Sequence, residues 1–251
     1  IGEGEKDEAP MLYIGEEVGC GGPEVDIAVD PLEGTTLTAK GQPNALATFA
    51  ISPRGTMFNP GPAVYMEKLA GAFDIADLLS LDVPIGDVLS AIAERRGTPV
   101  SELCVIVLDR DRHQEQIGQI RAAGAKVRLI SDGDVAGSLL AVRPGSGIDL
   151  LWGVGGTPEG VLSAAAIRSV GGRIIGRLWP RNDEERSAIL AAGLDVARED
   201  RGTARRAYGL EHAVAWPRIG QQHGVRVHEE VLVALVLQFC AYLSLILHVF
   251  D

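Results

Sequence analysis

Cysteine is scarce in this chain of 251 residues: Cys20, Cys104 and Cys240 lie far apart, and none belongs to a CxxC pair. That excludes a disulfide framework and a cysteine zinc site, and it suits a reducing cytoplasm. Positive charge is also short, with 23 Lys and Arg against 34 Asp and Glu and a net charge of -11. Binding to a nucleic-acid backbone needs clustered Lys and Arg, so no nucleic-acid partner is expected. An anionic small molecule would instead need local cations or a metal. No secretory signal is expected either, because Ile1 opens directly into a charged, Gly-rich segment without a basic or an apolar stretch. Only residues 231–250 form a long apolar run, and Gln238, Ser244 and His248 interrupt it. Its length would cross a bilayer, but Gln238 near its centre and the lack of a clear basic flank argue against a membrane anchor.

What the chain does have is apolar content, 46% of residues, enough for a core of one large or two small domains. Residues 25–30, VDIAVD, alternate apolar and acidic positions and predict a strand ending at Asp30, with Pro31 holding Asp30 out of helical geometry. A second strand is expected over residues 45–52, a turn at Pro53, Arg54 and Gly55, and a hairpin partner over residues 56–58. Residues 1–83 thus form an N-terminal half with a mixed or antiparallel sheet packed with helices. From residue 84 the pattern becomes β-α-β-α. A helix over residues 85–96 closes at Gly97, followed by a strand at 103–108, a helix at 112–123, a strand at 126–130, a helix at 135–142, a strand at 148–152 and a helix at 158–170. Such repetition predicts a parallel sheet, with ligands at the carboxyl ends of its strands, where Asp109 to Arg112, Asp132 to Asp134 and Gly153 to Gly156 fall. Residues 84–196 make up this α/β half, including a helix over 182–192. Residues 197–251 read as a divergent tail, irregular over 198–222.

Asp30-Pro31-Leu32-Glu33-Gly34-Thr35 carries the strongest local signal. Two carboxylates three residues apart on a strand-end loop can converge on a hard cation, while Gly34 permits close backbone approach and Thr35 adds a hydroxyl. The same residues also suit an Asx-type turn with solvated acids, and spacing alone leaves both readings open. Glu3, Glu5, Asp7 and Glu8 could add one ligand to a carboxylate cage. At 153–160, GVGGTPEG reads as a glycine-rich strand-to-helix turn with Thr157 as N-cap and Pro158 as first helical residue, presenting N–H groups to an anion. Arg110 and Arg112 sit on a strand-end loop where bidentate phosphate contacts are easy, though solvation would serve them as well. The five histidines have no ligand spacing, and no role is expected of them.

In order, GEGEKDEAPMLYIGEEVG at 2–19, VDIAVDPLEGTTLTAKGQPNALA at 25–47, YMEKL at 65–69, ISDGDVA at 130–136 and GVGGTPEGVLSAAAIR at 153–168 resemble the bacterial class II fructose-1,6-bisphosphatases. These belong to the lithium-sensitive, metal-dependent sugar phosphatases. The resemblance implies a layered α/β (α+β) sugar-phosphatase fold and a cytoplasmic homo-oligomer, dimer or tetramer, active in gluconeogenesis. It implies hydrolysis of the C1 phosphate of fructose 1,6-bisphosphate, with Mn²⁺ or Mg²⁺ bound by Glu3, Asp30, Glu33 and Glu159. Thr35 would position the attacking water beside Glu33, and Glu33, Gly34 and Thr35 would hold the phosphate being cleaved. Tyr65 would touch substrate, Arg110, Asp111 and Arg112 would grip the retained phosphate, and Asp132, Gly133, Asp134 and Gly156 would line the sugar. That gripping loop is usually Lys-Pro-Arg in the family, which leaves Arg112 as its firmest member here. Family members also carry an upstream segment with a Lys and a metal- or water-orienting Asp, and the likeness fades after about Val196, so little activity is expected of the chain alone. DPLEGT equally suits a sedoheptulose-1,7-bisphosphatase or an inositol-phosphatase-like enzyme, and a fragment that only binds sugar phosphate is a further alternative.

Overall fold

Alternation over the first apolar-acidic stretch produces strand β1 (Val25–Glu33), which pairs antiparallel with β2 (Leu46–Pro53) across the short helix α1 (Thr35–Ala39). β1 runs beyond Asp30 because the register shifts between Asp30 and Glu33, and this irregularity accommodates the N–H that Pro31 lacks. Thr56 closes a turn on the Pro53 carbonyl, but residues 56–58 do not return as a strand. The free edge of β2 is taken instead by a strand from far along the chain, β9 (Leu235–Gln238), also antiparallel. The computed structural model describes residues 13–194, Val196, and the backbone of 208–209 and 235–238. Glu3 and the rest of the acidic N-terminal run lie outside these residues, as does most of the tail. Among the described residues no helix is long and apolar enough to cross a membrane.

The second sheet takes β3 (Tyr65–Gly71) from the N-terminal half and then follows the alternating pattern. α2 (Ile85–Arg96), β4 (Cys104–Leu108), α3 (Gln114–Ala122), β5 (Lys126–Ile130), α4 (Asp134–Val142), β6 (Leu150–Gly156), α5 (Thr157–Ser169), β7 (Arg173–Leu178) and α6 (Asp183–Ala191) succeed one another, and β8 (Tyr208–Gly209) joins at the far edge. Gly97, in left-handed geometry, ends α2 as expected, and the Asn182 side chain caps α6 by accepting from Glu185 N. The strand order is β5-β4-β6-β3-β7-β8. β4 is parallel to β5 and β6, as the repetition predicts, but β3 lies antiparallel between β6 and β7, so the sheet is mixed.

Four layers result. Alternate residues of β4 point opposite ways: Val105 and Val107 pack with Leu89 and Ile92 of α2 and Ile117 and Ile120 of α3, while Ile106 packs with Ala141 of α4 and Ala164 of α5. On the far side of α4 and α5 lies the small sheet, whose Ala28 and Ala50 meet Val135, Val161, Leu162 and Ala165. α5 is therefore covered by sheets on two sides, and its Gly160, Ala164, Ala165 and Ala166 keep it thin enough to fit.

Candidate active site

Because β4, β5 and β6 run in one direction, their carboxyl ends share one rim of the large sheet. Tyr65 opens β3 opposite Gly156, and Leu178 closes β7 beside Met66, so the start of β3 and the segment after β7 reach the same rim. The small sheet delivers the DPLEGT loop to it.

The acidic end centres on Glu33, which is 3% exposed. Asp30 Oδ1 accepts from Leu32 N at 3.0 Å, so the Asx-type turn does form, while the register shift sends Glu33 inward. Gly34 follows with φ 84° as N-cap of α1, where a Cβ would be strained and 3.0 Å from Leu37 Cδ1. Thr35 is exposed at the mouth. Glu33 Oε1 accepts from Val135 N at 3.2 Å, at the start of α4. Its Oε2 is buried without a hydrogen-bond partner. Asp132 joins the two loops, Oδ2 accepting from Thr36 N at 2.9 Å and Oδ1 from Gly133 N at 3.1 Å. Gly133, φ 89°, caps α4, and a Cβ there would stand 3.6 Å from Glu33 Oε2. Burial, then Asp134, Asp30 and Asp132, push the Glu33 carboxyl up to about 8 against the lowering effect of the Val135 N–H.

Asp134 is buried and turned inward, its Oδ2 paired with Lys68 Nζ. Lys68, 1% exposed, also donates to the Gly156 carbonyl at 2.9 Å. Only glycine suits position 155, where a Cβ would fall 2.0 Å from Asp134 Oδ2. At Gly156 a Cβ would fall 1.9 Å from Glu159 Oε2, which places the Glu159 carboxylate over its own helix start. Gly156, not Thr157, is the N-cap of α5, because β6 continues to Gly156. Thr157 is the first helical residue, fully buried, and its hydroxyl has no hydrogen-bond partner.

Arginines occupy the other end. Arg112 donates from Nε and Nη2 to the Val154 carbonyl at 3.2 and 2.8 Å, and its guanidinium lies 5.3 Å from the Tyr65 ring centre. Arg181, beyond β7, lies 5.5 Å from the same ring centre. Arg110 donates to the Asp109 carbonyl at 3.0 Å, and exposed Asp111 opens a short 3₁₀ turn, so the helix expected from Arg112 becomes regular only at Gln114. His113 is fully buried, with Nδ1 2.7 Å from the Leu108 carbonyl and Nε2 accepting from Val154 N at 2.8 Å. Those partners define a neutral ring protonated on Nδ1, and burial, then Arg112 and Arg110, hold its pKa below the ordinary value.

The structure thus gathers Asp30, Glu33, Asp132 and Asp134 at one end and Tyr65, Arg110 and Arg112 at the other. The Glu159 carboxylate lies over Gly156, whose carbonyl accepts from Lys68. Among the described residues no group of three or more His, Cys, Asp or Glu converges on a metal position. The chemistry of Glu33 nevertheless fits a hard divalent cation: a buried carboxylate oxygen lacks a donor, and three further acids raise the cost of its charge. Sequence reasoning missed Lys68, His113, Arg181 and Glu185. A lysine inside the strand YMEKLAG and a glutamate three residues after the cap Asn182 were the available signals for two of them, and His113 offered none.

The sequence profile described as bacterial fructose-1,6-bisphosphatase, glpX-encoded, matches residues 1–201. Fructose-1,6-bisphosphatase 1 class 2 of Escherichia coli (strain K12) is 50% identical over 184 residues, which cover 73% of this chain and 54% of that protein. The class 2 enzymes of Escherichia coli O6:H1 and Shigella flexneri match with the same 50% identity and the same coverage of 73% and 54%. The chain spans about half the length of these curated relatives. On the strength of that profile and the shared identity, the chain belongs to the glpX-encoded bacterial fructose-1,6-bisphosphatase family.

Proposed function

We propose that the chain carries most of the site of a metal-dependent hydrolase that converts fructose 1,6-bisphosphate to fructose 6-phosphate and phosphate. The observation that carries this reading is Glu33, a buried carboxylate with one unsatisfied oxygen, ringed by Asp30, Asp132 and Asp134 at the mouth of a glycine-capped loop. Asp30, Glu33, Glu159 and Glu3 are the residues that would hold Mn²⁺ or Mg²⁺, which when bound supplies charge neutralisation and a water of lowered pKa. The chain's own groups do the rest. Thr35, exposed beside Glu33, orients the attacking water, and Glu33, Gly34 and Thr35 cradle the phosphate being cleaved. A P–O bond to water forms as the bond to the sugar C1 oxygen breaks, and that oxygen takes up a proton.

Arg112, with Arg110 and Asp111 beside it, grips the retained phosphate next to Tyr65. Asp132, Gly133, Asp134 and Gly156 line the sugar. The reading takes the enzyme as a cytoplasmic homo-oligomer, dimer or tetramer, whose partner is a sugar bisphosphate. The test, on the chain joined to a family-type upstream segment and C-terminal end, is phosphate release from fructose 1,6-bisphosphate after EDTA stripping and return of Mn²⁺ or Mg²⁺, alongside sedoheptulose 1,7-bisphosphate and inositol 1-phosphate. Metal-restored release that favours the fructose ester is expected. Release untouched by EDTA, or faster on the inositol ester, would overturn the reading.

A further inference from the structure

We propose that Arg181 is a second guanidinium for the retained phosphate, facing the substrate from the β7–α6 loop as Arg112 does from the β4–α3 loop. This deepens the bisphosphate reading above and rests on it. Arg181 is held rather than loose. Its Nε donates to Glu185 Oε2 at 3.0 Å and its backbone N to the same oxygen at 2.8 Å, while Glu185 Oε1 accepts from Val64 N at 3.3 Å. Glu185 is only 9% exposed, so this anchor sits in the fold rather than in solvent.

The same anchor fixes the platform between the arginines. Val64 and Tyr65 are pinned by Thr157 N to the Val64 carbonyl and Trp179 N to the Tyr65 carbonyl, both at 2.9 Å. Tyr65 therefore has little freedom to leave the two cations that lie 5.3 and 5.5 Å from its ring centre. With Nε committed to Glu185, both terminal nitrogens of Arg181 have no hydrogen-bond partner among the described residues, nor does Nη1 of Arg112. No carboxylate pairs with Arg112 among the described residues, and Arg110 adds a third positive charge nearby. Unpaired guanidinium donors held at one ring, with like charges about them, are completed by an anion rich in acceptors, and a phosphate monoester supplies one.

The experiment is calorimetric titration of the 251-residue chain, with Mn²⁺ present, by fructose 6-phosphate and by fructose 1-phosphate. The first carries only the retained phosphate, and the second only the one to be cleaved. Arg181→Gln should weaken fructose 6-phosphate tenfold or more while fructose 1-phosphate is unchanged, and Arg181→Lys should recover part of the loss. Equal weakening of both ligands would make Arg181 a structural residue and overturn the proposal. So would an unchanged fructose 6-phosphate affinity, or a wild-type chain that does not bind it. A selective loss in a chain that releases no phosphate from the bisphosphate even when joined to a family-type upstream segment and C-terminal end would leave this clamp standing and sink the bisphosphatase reading instead.

Discussion

The two ends of the shared rim handle charge in opposite ways. At the acidic end four carboxylates crowd together, and the innermost, Glu33, keeps one oxygen without a donor and a pKa near 8. At the arginine end, the charges rest on carbonyls, on an aromatic ring and on the buried Glu185. The acidic end thus keeps an unsatisfied oxygen among four carboxylates, whereas the guanidinium groups of the arginine end already rest on partners. Between them Lys68 holds Asp134 of one end and the Gly156 carbonyl of the β6–α5 turn. On the proposed function, this difference would let substrate affinity and metal dependence be tuned separately on one sheet edge.

Glu33→Gln should break the comparison most completely. In the chain joined to a family-type upstream segment and C-terminal end, replacing this carboxyl by an amide of the same shape is expected to lower metal-dependent phosphate release roughly a thousandfold or more, about 4 kcal/mol of barrier. Far-ultraviolet circular dichroism should stay native, and the gain in melting temperature on adding Mn²⁺ should vanish. Asp30→Asn should act in the same direction. Mn²⁺-stimulated release at wild-type rate in either variant would show that these acids do not face the metal.

Lys68→Met attacks the tie between the two ends. It strands Asp134 as a buried carboxylate without its cation, so a stability loss of ~3–5 kcal/mol is expected, read by denaturant unfolding. Asp134→Asn in the same background should restore part of it, because the two residues share one interaction. Strictly additive losses would mean that the pair is not coupled.

Much of the frame was legible because it follows local rules. The helix over 85–96 and its Gly97 stop rest on periodicity and on one residue that tolerates left-handed geometry. Strand β5 was likewise foreseen at its observed bounds. What escaped depends on long-range pairing: β3 enters the sheet from outside the alternating series, and β2 takes β9 rather than residues 56–58. The site divides similarly. DPLEGT, ISDGD and the loop around Arg112 announce themselves by residue type and strand-end position, and the structure brings them to one rim. Lys68 and His113 do not, since their meaning lies in carbonyl and amide partners that only the fold supplies. Thr157 looked like a cap by composition, yet β6 continues to Gly156 and leaves that place to the glycine.

Arg112→Ala sharpens the contrast from the arginine side. On the proposed function this residue would hold a phosphate that does not react, so the loss should fall on binding: KM for fructose 1,6-bisphosphate should rise about ten- to a hundredfold while kcat stays within a fewfold of wild type. A lower kcat at unchanged KM would put Arg112 at the reacting phosphate and erase the division of labour between the two ends.

The smallest effect is expected at His113, beneath the arginine end. Its ring accepts from Val154 N, and the carbonyl of that same residue is what Arg112 grips. Protonation would turn the accepting Nε2 into a donor and forfeit that hydrogen bond, worth about 0.5–1.5 kcal/mol. The folded-state pKa is held below the ordinary 6.5, so the unfolded chain takes up the proton first as the pH falls. The contribution of His113 is therefore complete above pH 6.5 and is lost as the pH drops through that value towards the lower, folded pKa. Stability of the metal-free protein measured between pH 7 and pH 5 should fall more steeply for wild type than for His113→Gln, by about 1 kcal/mol across the range. The mutant should be less stable than wild type at pH 7, and the gap should narrow in acid. Parallel profiles would mean that the ring keeps its place whether protonated or not, and that the arginine end is held by Arg112 and Tyr65 without it.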